Sequence, residues 1–293
     1  MSIQEFIISV YLFIEDFYQS VVIQPLIRRG FAPALTDVEI ITIQIVGEFL
    51  GMDTDKSIWS YFKNNWLNWF PALGSYSNFC KHCANLWWVS QQIMAKLKNM
   101  FTQDNIHFID GFPIPVCHYA RARRHKNFRA DATFSYCAAK QEKYYGFKGH
   151  LVINLSGMIT DFTFAPANCD ERDVAPEVTQ GIFGLLGGDK GYLKPELREY
   201  YWYQDIDLQV PFRKNMKDSR PKQVMKTLMN ARRKIETVIG QLTERFNIQK
   251  VWARDLWHLT HRIGRKILAH TLCTILNKQL GNEPLQLECL IKS

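Results

Sequence analysis

The sequence predicts an α/β protein: a mixed sheet flanked by helices, preceded by an all-helical region. Three observations lead there. Apolar residues in the first hundred of the 293 positions recur at helical spacing. From about residue 105 the texture turns to short apolar runs separated by turn residues. A long amphipathic segment then follows the last of those runs.

Residues 1–100 read as helices. Ile7 to Phe13 is apolar, but no basic flank precedes it and Glu15 and Asp16 close it, unlike a secretory signal. Thr36-Asp37-Val38-Glu39 is a capping box, with a hydroxyl for the first turn and a carboxylate three residues on. Val38, Ile41, Ile45 and Phe49 then share a helical face, with Gly51 as the stop. Trp59, Phe62, Trp66, Trp69 and Phe70 form an aromatic core stripe, and Ser75 to Trp88 is expected as one further helix. The region reads as a bundle that packs and pairs, or as a helix-turn-helix module that docks on DNA.

Beyond it, Ile106 to Ile109 is a strand ending in Asp110. Phe147 to Leu155 and Met158 to Phe164 are two more, joined through Ser156-Gly157 as a hairpin. A helix near Glu171 to Gln180 follows, then a short buried strand from Ile182 to Gly188 ending in Asp189. Leu208 to Phe212 is the fifth strand, and a long helix is expected from Val224 to Lys250, burying Ile235, Val238, Ile239, Leu242 and Phe246. Residues 255–280 form a last helix, stopped near Gly281. Three strands, helix, two strands and a long helix is the order of a mixed sheet with helices on its faces.

Charge narrows the function. The net formal charge is +8, yet residues 1–100 hold 7 Lys and Arg against 8 Asp and Glu. Residues 201–270 hold 15 against 6, and a second basic block runs through Arg121, Arg123, Arg124, Lys126 and Arg129. Such clustering suits a polyanion, although a solvated helical face has the same composition. The acidic balance of residues 1–100 favours the bundle there, so residues 121–129 and 213–266 are the expected phosphate-contacting segments. No apolar run has the length of a membrane span. Seven scattered cysteines point to reduced thiols and a cytosolic setting.

Asp110 and Asp189 each follow an apolar strand, where a carboxylate is costly to desolvate without a cation beside it. A divalent metal is the natural partner, because magnesium prefers hard oxygen ligands. Two such ions serve an in-line phosphoryl displacement. The third acid would come from the long helix, where Glu236 lies one turn after Arg232. Against this, strand-end aspartates also cap turns, and helix glutamates are commonly solvated. Glu244, two turns along, is the rival third acid. Cys80-Lys81-His82-Cys83 has the spacing of half a zinc site, but with no second pair it reads as core thiols. His118 and His150 flank the strands and read as structural. Lys190 and Arg233 are candidate DNA contacts, together with Arg121, Arg123, Arg124 and Arg232. Tyr200 to Tyr203 could stack on a flipped base, or pack at the sheet edge.

Phe147-Lys148-Gly149-His150, Gly157, Ala165-Pro166-Ala167-Asn168 and Gly188-Asp189-Lys190-Gly191-Tyr192 resemble, in order, the core of bacterial insertion-sequence transposases of the DDE class. Arg232 through Glu236 to Phe246 resembles that family's glutamate-bearing helix. Ile109-Asp110 followed by Pro113 to Cys117 resembles the first-aspartate block of family nine-eighty-two in insertion-sequence nomenclature. A related group carries a tyrosine and a lysine on this helix where Met229 and Thr243 stand here. The resemblance implies an RNase H-like five-stranded sheet with its first and fourth strands side by side. It implies Asp110, Asp189 and Glu236 as both catalytic residues and metal ligands, with Mg²⁺ or Mn²⁺, as two ions. It also implies double-stranded DNA partners (terminal inverted repeats and target), a homodimer in the synaptic complex, no membrane association and a place at the nucleoid. Residues 1–100 would then serve dimerisation, DNA-end binding or both, and residues 101–293 catalysis. The alternatives are a catalytically inactive DNA-binding derivative or another RNase H-like nuclease.

Overall fold

The computed structural model describes residues 1–22, 34–101, 104–213 and 215–291. The chain forms two compact units: Met1–Lys96 with Leu242–Ser293, and Leu97–Gln241.

The first unit is helical. It comprises α1 (Ile3–Val21), α2 (Asp37–Phe49), α3 (Asp55–Asn65), α4 (Tyr76–Asn85), most of α5 (Trp87–Phe101) and α9 (Leu256–Gln279). The expected box at Thr36 is present, with its side chain on the Glu39 amide and Glu39 reaching back. Ser2 and Glu5 form a second box at α1. The segment from Ser75 to Trp88 is two helices, because the chain tightens at Leu86, whose amide bonds to the Cys83 carbonyl. Charge is buried here, and it is matched. Glu48 accepts from Arg265 Nε at 2.6 Å and Lys266 Nζ at 2.5 Å, while Asp55 accepts from Arg265 Nη1 at 2.6 Å and Arg262 Nη2 at 2.7 Å. All four carboxylate oxygens therefore face a cation. This corrects one expectation from charge counting: Arg262, Arg265 and Lys266 belong to an internal network and offer no phosphate-binding face. Within the same expected block, residue 214 lies outside the described residues.

The second unit is built on a sheet of six strands: β1 (Ile106–Pro115), β2 (Thr133–Cys137), β3 (Glu142–Asn154), β4 (Ile159–Pro166), β5 (Gly184–Gly187) and β6 (Ile206–Gln209). Their order is β2-β3-β1-β5-β6, with β4 also on β3. Between the strands run α6 (Glu171–Val178) and α7 (Pro195–Trp202), and α8 (Lys222–Glu244) follows them. Ile109, Val152, Ala175, Val178, Leu186, Tyr192, Tyr201 and Leu208 form a core of sheet and helix residues. The side chain of Asp110 points to the opposite sheet face from Ile109, by strand alternation, and meets α8 there.

The strand after β4 does lie beside the first: β1 and β5 are parallel neighbours. Four departures have local causes. β2 is a sixth strand that the five-strand expectation lacks; its aromatics Phe134 and Tyr136 face solvent, so it shows no inward apolar run. α7 begins with Pro195 at its first turn and is short. α8 ends at Glu244, not Lys250, because Asn247 takes a positive φ of 50° and the Ile248 amide turns back to Leu242. Finally, β1 does not end at Asp110 but continues to Pro115, held on one side by β3.

Candidate active site

The place of Asp110 follows from register. β1 pairs with β3 along His107–Pro115 but with β5 only over Ile106–Phe108, where Phe108 faces Gly187. Two residues beyond that last pair, along two parallel strands, stand Asp110 and Asp189. Asp110 is thus mid-strand on one side and at an open edge on the other. The carboxyl ends of parallel strands are where α/β sheets commonly open a ligand crevice.

Asp110 is mostly withdrawn from water. Its Oδ1 accepts from the Gly111 amide at 2.8 Å and its Oδ2 from Arg232 Nη2 at 2.6 Å. Burial pushes its carboxyl up to about 6; Arg232 and the Gly111 amide oppose this, while Asp189 and Glu171 add to it. The cations of the unit therefore leave Asp110 under-compensated.

Arg232 links the first acid to the third. Its Nη1 donates to Glu236 Oε1 at 2.8 Å, so one guanidinium bridges Asp110 and Glu236. Of the two helix glutamates, Glu236 is the one that shares Arg232 with Asp110. Arg232, expected among the DNA contacts, has both terminal nitrogens on carboxylates. Asp189 Oδ1 accepts from the Gly191 amide at 2.6 Å and caps the short 3-10 turn Lys190–Tyr192, the role open to any strand-end aspartate.

A fourth acid, absent from the sequence reading, completes the cluster. Glu171 opens α6, and its carboxylate lies between the two aspartate loops. A Cβ at Gly111 would stand 3.2 Å from Glu171 Oε1; one at Gly191 would stand 3.2 Å from Glu171 Oε2 and 2.8 Å from Asp189 Oδ1. The glycine just after Asp110 and the one two residues after Asp189 therefore make room for these oxygens. Lys148 Nζ pairs with Glu171 Oε1 at 3.2 Å. Tyr192 is fully buried, and its hydroxyl has no hydrogen-bond partner among the described residues. Burial raises that hydroxyl well above its ordinary value, and the charges of Glu171, Asp110 and Asp189 raise it further, so it lies in the field of the cluster. The pairing of a glycine with each aspartate loop was the signal that could have pointed to an extra group there.

These donors suit a hard divalent cation: carboxylate oxygens, more negative charge than the adjacent Arg232 and Lys148 balance, and a raised Asp110. As they stand, no three His, Cys, Asp or Glu among the described residues close a metal shell, and Arg232 holds the space between Asp110 and Glu236.

The remaining candidates divide. Arg121, Arg123 and Arg124 are exposed on a short 3-10 helix, Tyr119–Arg124, and Lys190 and Arg233 are exposed as well. His150 is buried, its ring pushed down to about 4 by burial and by Lys148. Cys83 is a buried thiol of α4, as the core reading expects, and His82 pairs with Asp37. Of the aromatic run, Tyr201 packs inside with its hydroxyl on Thr179, whereas Trp202 and Tyr203 are exposed. Among the described residues no helix is long and apolar enough to cross a membrane.

Residues 100–256 match the profile of a family described as the transposase DDE domain. Comparison with curated protein sequences gives no match. Among solved structures, the chain is similar to a cryo-EM structure of the piggyBac transposase synaptic complex with hairpin DNA. The TM-score is 0.47 and the identity 8%, over 98% of this chain and 76% of that one, too low to assign residues.

Proposed function

The chain belongs to the family of transposase DDE domains, and from that premise we propose that this DNA transposase cuts its element's ends and joins them to target DNA, using Asp110, Asp189 and Glu236. The observation that carries the reading is the meeting of Asp110 and Asp189 at the open edge between β1 and β5, with Glu236 joined to Asp110 through Arg232. We further propose an RNase H-like core, kinship with insertion-sequence family nine-eighty-two, and a bacterial source.

Domains of this family generally use divalent metal ions. In the reading proposed here Asp110, Asp189 and Glu236 hold Mg²⁺ or Mn²⁺, with Glu171 beside them. Such ions, when bound, stabilise the charge on attacking and leaving oxygens of phosphodiester exchange. The chain's own part is positioning. Backbone register supports the pairing of Asp110 with Asp189, and the Arg232 bridge supports Glu236 of α8 as the third acid. Arg232 bridges Asp110 and Glu236, and for both carboxylates to hold a cation at least one of them would have to part from it. Arg121, Arg123, Arg124, Lys190 and Arg233 hold the duplex by its phosphates. Residues 1–100 would supply dimerisation, end recognition or both, with a homodimer in the synaptic complex.

The direct test is cleavage of a linear duplex carrying the inverted repeats that flank the gene. Nicking at the repeat ends in Mg²⁺ or Mn²⁺, and none in EDTA, is the expected result. Undiminished cleavage in EDTA would overturn the metal mechanism; binding to the repeats without any cleavage would mark an inactive DNA-binding derivative.

A further inference from the structure

One face of α6 mixes apolar residues with a carboxylate. Val174, Ala175 and Val178 are buried, the last two in the core with Ile109 and Val152. Glu171 precedes them at the spacing of a single helical stripe, so the stripe that faces the sheet starts with an acid. The other acids of this segment are turned elsewhere and matched. Asp170 pairs with Arg172, Asp173 pairs with Lys194 at 3.8 Å, and Glu177 accepts from the Thr163 hydroxyl at 3.0 Å.

The two oxygens of Glu171 have different surroundings. Oε1 lies beside Gly111 and pairs with Lys148 Nζ at 3.2 Å. Oε2 has no hydrogen bond or ion pair among the described residues. A Cβ at Gly191 would touch both Oε2, at 3.2 Å, and Asp189 Oδ1, at 2.8 Å, so the two carboxylates converge on the space this glycine leaves open. Asp189 accepts from the Gly191 amide, and no cation pairs with it among the described residues. The buried Tyr192 hydroxyl lies in the field of both acids and donates to neither. Two carboxylates this close repel each other unless a cation joins them.

A hard divalent cation takes carboxylate oxygens of this kind. We propose that Glu171 is a fourth carboxylate of the metal site, sharing with Asp189 one ion through Oε2, while Lys148 on Oε1 lowers the affinity for that ion. This rests on the metal-dependent transposase reading and adds a ligand to it. The competing assignment makes Glu171 only the counter-ion of Lys148. The two assignments differ in sign: a lysine beside a metal ligand competes with the metal, whereas a lysine that shapes the site supports it.

Calorimetric titration of the full chain with Mn²⁺ alone separates them. Glu171→Gln should weaken Mn²⁺ binding at least about tenfold, and Glu171→Asp, which keeps the charge but draws it back, should fall between. Lys148→Met should tighten binding about threefold. Urea unfolding without metal should give midpoints for Glu171→Gln and Lys148→Met close to that of the unaltered chain, since the pair they break is partly open to water. If Glu171→Gln does not fold, the sign of Lys148→Met decides. Affinity within twofold for Glu171→Gln, while Asp189→Asn loses binding, removes Glu171 from the ligand set and leaves the transposase reading standing. Weaker binding in Lys148→Met makes the pair structural and overturns the proposal as well. No Mn²⁺ binding by the unaltered protein, or none of it lost in Asp189→Asn, would be a failure of the metal-dependent reading itself and would take this ligand with it.

Discussion

Each compact unit gathers a group of charged side chains, one buried and the other partly open to water, and the two follow opposite rules. In the helical unit two carboxylates, Glu48 and Asp55, meet three cations, and every carboxylate oxygen has one. Burial alone would raise Asp55, but Arg265 and Arg262 outweigh it and hold the carboxyl well below its usual range. In the sheet unit Asp110, Asp189, Glu171 and Glu236 have Arg232 and Lys148 between them, and Asp110 is pushed up to about 6. The first group is complete within the fold. The second carries an excess of negative charge that Arg232 and Lys148 do not balance, and the proposed site rests on that imbalance.

The sharpest way to break this contrast is to remove a charge from each group. Asp110→Asn, Asp189→Asn and Glu236→Gln should each lower metal-dependent end cleavage by at least about 100-fold while DNA affinity stays within about twofold. Asp110→Asn should leave the metal-free protein as stable as before, or more so, because it removes a buried carboxylate that burial and neighbouring acids disfavour. Glu48→Ala should do the reverse, costing about 3–5 kcal/mol by stranding the buried Lys266 and leaving Arg265 with Asp55 alone. Urea unfolding compares them. A loss for Asp110→Asn as large as that for Glu48→Ala would mean both groups are structural.

The pH dependences should also oppose each other. Asp110 is raised, so the metal-free fold loses its contribution as pH climbs from about 4 through 6, where the folded group must ionise at a penalty. Asp55 is depressed, so its contribution is present above the ordinary carboxylate range and lost as pH falls below it. Ligation of a metal needs Asp110 ionised, so Mn²⁺ affinity should fall by up to about tenfold per pH unit below 6. Calorimetric titration with Mn²⁺ at several pH values checks this; a flat profile would remove Asp110 from the ligand set.

The same contrast explains what the sequence made legible. Asp110, Asp189 and Glu236 stand out because apolar runs and an amphipathic helix surround them, and local patterning reports such surroundings. The β1–β5 adjacency came from resemblance, because strand order is a property of long-range pairing. Glu171 and Lys148 stayed hidden: a helix-start glutamate and a strand lysine look solvated until the sheet folds them onto the aspartate loops. Arg262, Arg265 and Lys266 failed in the other direction. A count of basic residues cannot tell a cation facing phosphate from one matched by Glu48 and Asp55, 207 to 218 residues away in the chain.

That failure sets the last and smallest prediction, which concerns where DNA is held. With Arg262, Arg265 and Lys266 engaged by Glu48 and Asp55, the exposed block Arg121, Arg123 and Arg124 becomes the first place to look for phosphate contacts. Each lost phosphate contact lowers the salt slope by about 0.9 and weakens binding alike on any sequence. Replacing the three arginines by alanine should therefore reduce affinity about tenfold for repeat-end and random duplexes equally, and make the plot of log affinity against log salt shallower by about 2 to 3. Lys56, Lys63 and Lys81 are exposed in the helical unit and serve as the comparison. Their triple replacement should leave the slope nearly unchanged, since residues 1–100 carry no excess of basic charge. If the lysine variant flattens the slope and the arginine variant does not, the helices are the main phosphate-binding surface. The sheet unit would then be left with the chemistry alone.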